Sequence, residues 1–483
     1  MRVLAWPLYT YAGKPAADSG YICFRNLIRA VPEWDWQVVV PEWAHEKGLL
    51  EDDLDDLPNV EKVPVDLPTL HRVQEVTPSP ETIWRYAPQA GLNPVDAVIT
   101  GSNQMAHALS NAWGIRMPES HRPVIVAWDL MTRDDQNRGW RADEVELLAH
   151  FTGAATADLN IYGSEMMRWM TQNMLRKQFS PAVIRDVMQN RSETLYAGVP
   201  TKRIAEVTKG IKKRDKFTVF YGGRMGSVKR VDELTEITDI AFSFGREMEM
   251  VVCTGSLGPF RRKGFEEKFP MVELHIGTNQ EETWRLMAEC HAGFMWSRHE
   301  MIGSMFIEEM AHGLPVIAHP HRWIEALLPE EYPYWANDAR EAGAQLRLLY
   351  DAWKADPDGY DKPMGEWSEY VRSRYDSDKA GEEFRKIVTA RVEKQRGPLI
   401  KEMREDDTIV TLTREVIREG MTFPDLIEGI KSSAQKRSVI GNALQHARSN
   451  PMIKAYYAAQ HLGWQTSGPG EGFTFTKKEQ TDD

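Results

Sequence analysis

Short apolar runs rich in β-branched residues alternate with helix-like stretches through the first 200 residues. The runs Val3–Trp6, Gln37–Val40, Val60–Val65, Ala97–Thr100, Val124–Ala127 and Leu159–Tyr162 predict strands. Several of them end at Gly, Ser, Asp or Pro, and segments such as Tyr21–Val31 and Gln104–Trp113 lie between them. Strands that alternate with helices must run parallel, with helices covering both faces of the sheet. The first predicted strand leads into a loop with Gly13, Ser19 and Gly20, then a helix. Gly20 either lets a ligand approach the backbone or merely starts that helix.

A second alternating series runs from about 215 to 350. Its predicted strands are Phe217–Tyr221, Glu249–Cys253, Val272–His275, Gly293–Trp296 and Pro315–Ala318, and its helices include Asp232–Phe242 and Glu281–Cys290. The stretch Thr194–Lys216, with its charged run, reads as the linker between two doubly wound units. Two such units facing a cleft hold a ligand at the carboxyl ends of their strands. Residues 366–396 predict helices without strands, and 400–465 are mainly helical with breaks at Gly420–Pro424, Ser432–Ser433 and Asn450–Pro451. The last stretch, from Thr466, predicts a loose tail. The expected boundaries are 1–200, 201–365, helices returning toward the first domain at 366–396, and an extension at 397–483.

Composition narrows the class. A hydrophobic share of 42% and a charged share of 27% are ordinary for a globular chain, and no segment is apolar enough to span a bilayer. The N-terminal residues are too broken for a signal peptide, so the expected location is the cytoplasm. Cys23, Cys253 and Cys290 sit far apart in apolar segments, which predicts reduced thiols rather than disulfides or a zinc site. The net charge of −12 disfavours general adhesion to nucleic acid, so any such contact needs a local basic patch.

Two constellations could carry chemistry. In the first, a strand delivers Gly222, Gly223, Arg224 and then Lys229 at the start of a helix. Glycines leave amides accessible, and the two cations can neutralise a diphosphate as its bond to a sugar breaks. A surface turn with solvated Arg and Lys is the plain alternative. The second constellation is GFMWSRHEMIGSMFIEEMAHGLPVIA, residues 293–318, a strand, a polar turn with Glu300, a helix starting near Gly303, and a further strand. Glu308 and Glu309 share that helix with an apolar stripe that both cannot enter, so solvated carboxylates are the plain expectation.

These residues resemble the GT-B glycosyltransferases of the family 4 type, retaining enzymes that use nucleotide sugars. The family motif E-x-F-G-x-x-x-x-E-A-M-A-x-G-x-P-V aligns with Glu300 to Val316, and its G-R-x-x-x-x-K loop aligns with Gly223 to Lys229. The domain-joining stretch resembles Ala197-Gly198-Val199-Pro200. The resemblance implies two Rossmann-like domains facing a cleft, with the C-terminal helical extension as an addition. It implies that Arg224 and Lys229 hold the donor diphosphate, Glu300 the sugar hydroxyls and Glu308 the ribose. Amides of Ile302, Gly303 and Ser304 would reach the phosphates, and Gly20 would lie under the donor. No cofactor or metal is implied, the nucleotide sugar being a co-substrate. The chain departs from the family in Ser19-Gly20 for paired glycines, Glu309 for alanine, and Trp128-Asp129 for a His-Asp pair. Asp129 either contacts acceptor or sugar in catalysis or caps the next segment. His299 either lines the cleft or is structural.

The extension holds the basic patch. Between Lys431 and Gly470 stand Lys431, Lys436, Arg437, Arg448 and Lys454 with no Asp or Glu, interleaved with Tyr456, Tyr457 and Trp464. That pattern fits either a nucleic-acid contact through Lys436, Arg437, Arg448 and Lys454 or a solvated helical face. By analogy with bacteriophage GT-B enzymes that glycosylate hydroxymethylated bases, the expected acceptor is such a base in DNA, and the location then a host cytoplasm. The alternatives are a glycan, lipid-linked or small-molecule acceptor, or a non-catalytic nucleotide-sugar binding module.

Overall fold

The computed structural model describes residues 1–7, 9, 18–50, 54–66, 95–114, 122–130, 144–223, 231–241, 247–255, 271–297, 300, 302–357, 359–360, 364–402, 408–436, 458–460, 462, 464–467 and 474–477. By internal contacts the chain forms two compact units. One comprises 1–163, 167–195 and 381–483, and the other 164–166 and 196–380.

The first unit carries β1 (Arg2–Trp6), α1 (Ser19–Ala30), β2 (Asp35–Pro41), α2 (Glu42–His45), β3 (Val60–Val65) and β4 (Ala97–Thr100). It continues through α3 (Asn103–Gly114), β5 (Val124–Asp129), α4 (Glu144–Thr156), β6 (Leu159–Tyr162), α5 (Glu165–Gln178), α6 (Pro181–Asn190) and β7 (Ser192–Thr194). The seven strands lie in the order β3-β2-β1-β4-β5-β6-β7, and every pairing is parallel. The apolar runs are continuous because both faces are covered; β1, β4 and β5 are buried throughout. The order reverses between β1 and β4, the switch point at which open α/β sheets take ligands. The sequence pattern missed β7, whose three residues are too few to show a period.

The second unit carries α7 (Thr201–Val207), β8 (Phe217–Gly222), α8 (Val231–Ala241), β9 (Met248–Thr254), β10 (Val272–Ile276), α9 (Gln280–Ala288) and β11 (Ala292–Met295). Then come α10 (Ser304–Ala311), β12 (Val316–Ala318), α11 (Arg322–Glu325), α12 (Ala339–Ala355) and α13 (Gly365–Arg374). Its five strands are parallel in the order β10-β9-β8-β11-β12. Each face has its own core. Phe220, Met295 and Val316 pack with Phe306 and Met310 on one side; Val219, Phe294 and Ile317 pack with Ile237 and Leu346 on the other. The stretch expected as a plain linker holds α7, and Thr201 and Lys202 at its start pair with Asp376 and Asp378.

α14 (Ser377–Glu402) follows directly, and from Gly381 it belongs to the first unit. There Phe384 meets Trp128 edge-on at 5.3 Å, and Gln395 donates to the carbonyl of Arg122 at 3.1 Å. The extension holds α15 (Thr408–Val416), α16 (Phe423–Lys436), β13 (Trp464–Ser467) and β14 (Thr474–Lys477). Two expectations are corrected here. α16 runs through Ser432–Ser433 without a break. The expected loose tail contains an antiparallel hairpin, Trp464 opposite Lys477, whose Phe475 is fully buried. Gly- and Thr-rich composition hid it because one buried aromatic, not a periodic stripe, holds it. The three cysteines are buried thiols outside any disulfide, and burial pushes the Cys253 thiol up to about 12. Among the described residues no helix is long and apolar enough to cross a membrane.

Candidate donor site at the carboxyl edge of the second sheet

β8 ends at Gly222, and the close approach of α10 dictates that glycine. A Cβ there would lie 2.7 Å from the sulfur of Met305 and 2.8 Å from the ring of Phe220. The end of β8 and the first turn of α10 are thereby in contact. Gly223 follows, its amide bonded to the carbonyl of Cys253 at 2.9 Å. Arg224 and Lys229, and the loop that bears them, lie outside the described residues, as does His299.

After β11 the chain stays buried through Trp296 and Ser297. Trp323 clamps this loop, donating from Nε1 to the carbonyl of Ser297 at 3.3 Å. The same ring lies 2.7 Å from where a Cβ of Gly303 would stand. Gly303 is the N-cap of α10 with φ 70°, a left-handed conformation that glycine adopts without strain, and it has no side chain with which to cap the helix. The first amides of α10 therefore face away from any intrahelical acceptor, where a helix carries its positive end. Glu300, Ile302 and Ser304 are half-buried around this terminus, and Gly303 is buried. The Tyr221 hydroxyl in β8 is pushed up, first by burial and then by the charges of Glu300 and Glu309.

The expectation of two solvated acids on α10 is overturned. Glu308 is 6% exposed and Glu309 fully buried. Glu308 accepts a 3.0 Å hydrogen bond from Nε2 of Gln280, the first residue of α9. Glu309 faces β11, its Oε2 2.4 Å from where a Cβ of Gly293 would stand. The helical stripe excluded two acids only if the facing strand carried side chains; Gly293 supplies the room. Gln280 is the residue that sequence reasoning missed. It follows Asn279, whose side chain caps α9 by accepting from the amide of Glu282 at 2.8 Å. That polar start of a helix was the available signal.

In the first unit, Gly20 is the second residue of α1, and its amide already bonds Oδ1 of Asp18 at 2.9 Å. Asp129 ends β5 and is fully buried. Asn103 donates to its Oδ2 at 2.9 Å, and Nε2 of His150 lies 3.6 Å from the same oxygen. Asn103 and His150 are fully buried as well. In the extension, Lys436 is the last residue of α16, and Arg437, Arg448 and Lys454 lie outside the described residues.

No protein-family model matches the chain, and no curated protein matches it in sequence. Solved structures do match it in fold. Sucrose-phosphate synthase from Thermosynechococcus elongatus superposes with a TM-score of 0.59 at 16% identity, over 81% of this chain and 98% of that one. Anabaena HepE in complex with UDP and glucose gives 0.58 at 14%, over 81% and 100%. The trehalose-6-phosphate synthase OtsA gives 0.57 at 12%, over 80% and 99%. The fold is therefore the GT-B glycosyltransferase arrangement of two parallel-sheet domains.

Proposed function

We propose that the protein is a retaining glycosyltransferase that moves a sugar from a nucleoside-diphosphate donor to an acceptor hydroxyl. The observation that carries this reading is the contact of the Gly222 end of β8 with the first turn of α10, the helix that bears Glu308 and starts at the left-handed Gly303. A diphosphate at that point meets helix amides and the positive end of the helix. Arg224 and Lys229 supply further positive charge, which grows in value as the leaving diphosphate takes up the bonding electrons. This is work that a divalent ion performs in other transferases, so the reading requires no metal. Glu300 accepts hydrogen bonds from donor-sugar hydroxyls. Glu308, already oriented by Gln280, accepts from the ribose.

With retention, the acceptor hydroxyl attacks the face from which the diphosphate departs. The protein's part is positioning and charge stabilisation. Asp129 enters as a positioning residue, because its buried carboxylate is engaged by Asn103 at the end of β5. HepE was solved with UDP, with UDP and glucose, and with UDP-glucose, so UDP-glucose is the first donor to test. The proposed acceptor is a hydroxymethylated base in DNA, supported by the acid-free basic run from Lys431 to Gly470.

The test is slow donor hydrolysis. The wild type should release UDP from UDP-glucose without acceptor, and Lys229→Ala should not. Equal release by both would remove Lys229 from the donor site. Binding of UDP-glucose with neither hydrolysis nor transfer to any acceptor would make the protein a binding module instead.

A further inference from the structure

The loop after β10 is built to hold one side chain still. The amide of Gly277 bonds the carbonyl of Thr254, at the end of β9, at 2.8 Å. Asn279 caps α9 by accepting from the amide of Glu282 at 2.8 Å, and the hydroxyl of Thr283 donates to the carbonyl of Asn279 at 2.8 Å. Glu281 is paired with Arg203 of α7 at 2.6 Å. Between these anchors stands Gln280, the first residue of α9. Its carboxamide leaves a fixed backbone, and its Nε2 lies 3.0 Å from Oε1 of Glu308.

A carboxylate only accepts hydrogen bonds, so the amide turns its nitrogen to Glu308 and its carbonyl oxygen away from it. The pair thus presents two kinds of acceptor side by side, a carboxylate on α10 and an amide carbonyl on α9. Exposure separates them further. Glu308 is buried, whereas Gln280 is only half-buried. A ligand hydroxyl that reaches so enclosed an acid comes up against the amide bonded to it.

We propose that Gln280 is a specificity-determining residue that reads the ribose diol of the donor together with Glu308, one hydroxyl donating to each, so that the site selects ribonucleoside over deoxyribonucleoside diphosphates. The inference deepens the donor reading above and rests on it for the placement of ribose at Glu308. A vicinal diol is the chemistry that fits, being two donors on neighbouring carbons. Oε1 of Glu308 already takes a proton from Gln280, so Oε2 receives one hydroxyl and the carbonyl oxygen of Gln280 receives the other. A site built to bond a hydroxyl rejects an analogue that lacks it, because its polar group is then left unpaired. The two hydroxyls are not equivalent, since a hydrogen bond to a charged group is the stronger.

The experiment is titration calorimetry on the full chain. UDP, GDP and ADP are compared first, and then the 2′-deoxy and 3′-deoxy forms of whichever binds most tightly. Both deoxy forms should bind more weakly than the parent, roughly tenfold or more for the one lacking the hydroxyl on Glu308 and roughly two- to tenfold for the other. Gln280→Leu and Glu308→Ala then assign the hydroxyls. Each variant should weaken the parent, and should weaken least the deoxy form that lacks the hydroxyl its own residue meets. The two variants therefore spare different deoxy forms. A Gln280 that only orients Glu308 predicts another result, with both variants sparing the same form. Melting temperature checks that the variants fold, and Gln280→Asn, which withdraws the amide by one methylene, repeats the measurement on a second protein. Deoxy forms that bind as tightly as the parent, sparing of the same form by both variants, or equal weakening of all three ligands by the Gln280 variants overturns the proposal and leaves the donor site in place. A wild type that binds none of the three diphosphates removes the donor reading, and the ribose contact with it.

Discussion

Gln280 Nε2 donates a 3.0 Å hydrogen bond to Oε1 of Glu308, joining the first residue of α9 to the middle of α10. The bond fixes the direction of a carboxylate that is 6% exposed. A carboxylate so held is ready to accept from a ribose without first being ordered, which is preorganisation by a neighbouring helix.

Glu308→Ala should therefore raise KM for the donor roughly ten- to a hundredfold, the value of about 1.5–3 kcal/mol for a hydrogen bond to a charged group. Its effect on kcat should be small, because ribose contacts are the same in ground and transition states. Gln280→Ala should raise KM in the same direction by less. Steady-state kinetics with UDP-glucose measure both. An unchanged KM in Glu308→Ala would take Glu308 out of the donor site.

Gly222→Ala should weaken donor binding and stability together. The new methyl group would meet the sulfur of Met305 at 2.7 Å and the ring of Phe220 at 2.8 Å, so one of these side chains must shift where β8 meets α10. Overpacking of this kind costs about 1–3 kcal/mol. Because a Met side chain is flexible, Gly222→Ala with Met305→Ala should recover part of the loss. Melting temperature and UDP affinity by calorimetry report the two effects, and a Gly222→Ala protein indistinguishable from wild type in both would refute the contact.

The alternation of strands and helices was legible because parallel strands are buried on both faces and show as apolar runs. The glycines that close β8 were legible for the same reason: they follow from where such a run stops. What the one-dimensional pattern could not show is compensation from a distant segment. Glu309 is buried because Gly293 faces it, and Glu308 because Gln280 reaches it. The hairpin was hidden because its register is held by Phe475 against a turn more than 50 residues earlier.

His312 gives the second unit a pH dependence. Its ring donates from Nδ1 to the carbonyl of Glu308 at 2.7 Å, and burial pushes its pKa down to about 4. The unfolded chain takes up the proton near the ordinary value of 6.5, while the folded protein resists until about 4. The unfolded state thus binds more protons across that window, and stability falls as pH drops through it. The loss is complete below about 4 and amounts to up to about 3 kcal/mol. Urea melts at pH 7, 5.5 and 4.5 should show a decline that His312→Gln makes shallower. An identical decline in both proteins would place the titration elsewhere.

Asp129 tests the difference between a group that touches sugar and one that holds a strand end. It is fully buried, Asn103 donates to it at 2.9 Å, and His150 lies 3.6 Å away. Asp129→Ala would leave the amide of Asn103 without this acceptor in a buried place, at a cost of about 1–3 kcal/mol. Asp129→Asn keeps an oxygen where Asn103 can donate to it. A positioning role therefore predicts that the Asn variant retains most of the melting temperature and of UDP release, whereas the Ala variant loses both. A catalytic role predicts another pattern: the Asn variant melts like wild type, its UDP-glucose KM is unchanged, and its kcat collapses. Reading kcat, KM and melting temperature on the same two proteins separates the outcomes, because a defect in the fold lowers the melt together with the activity.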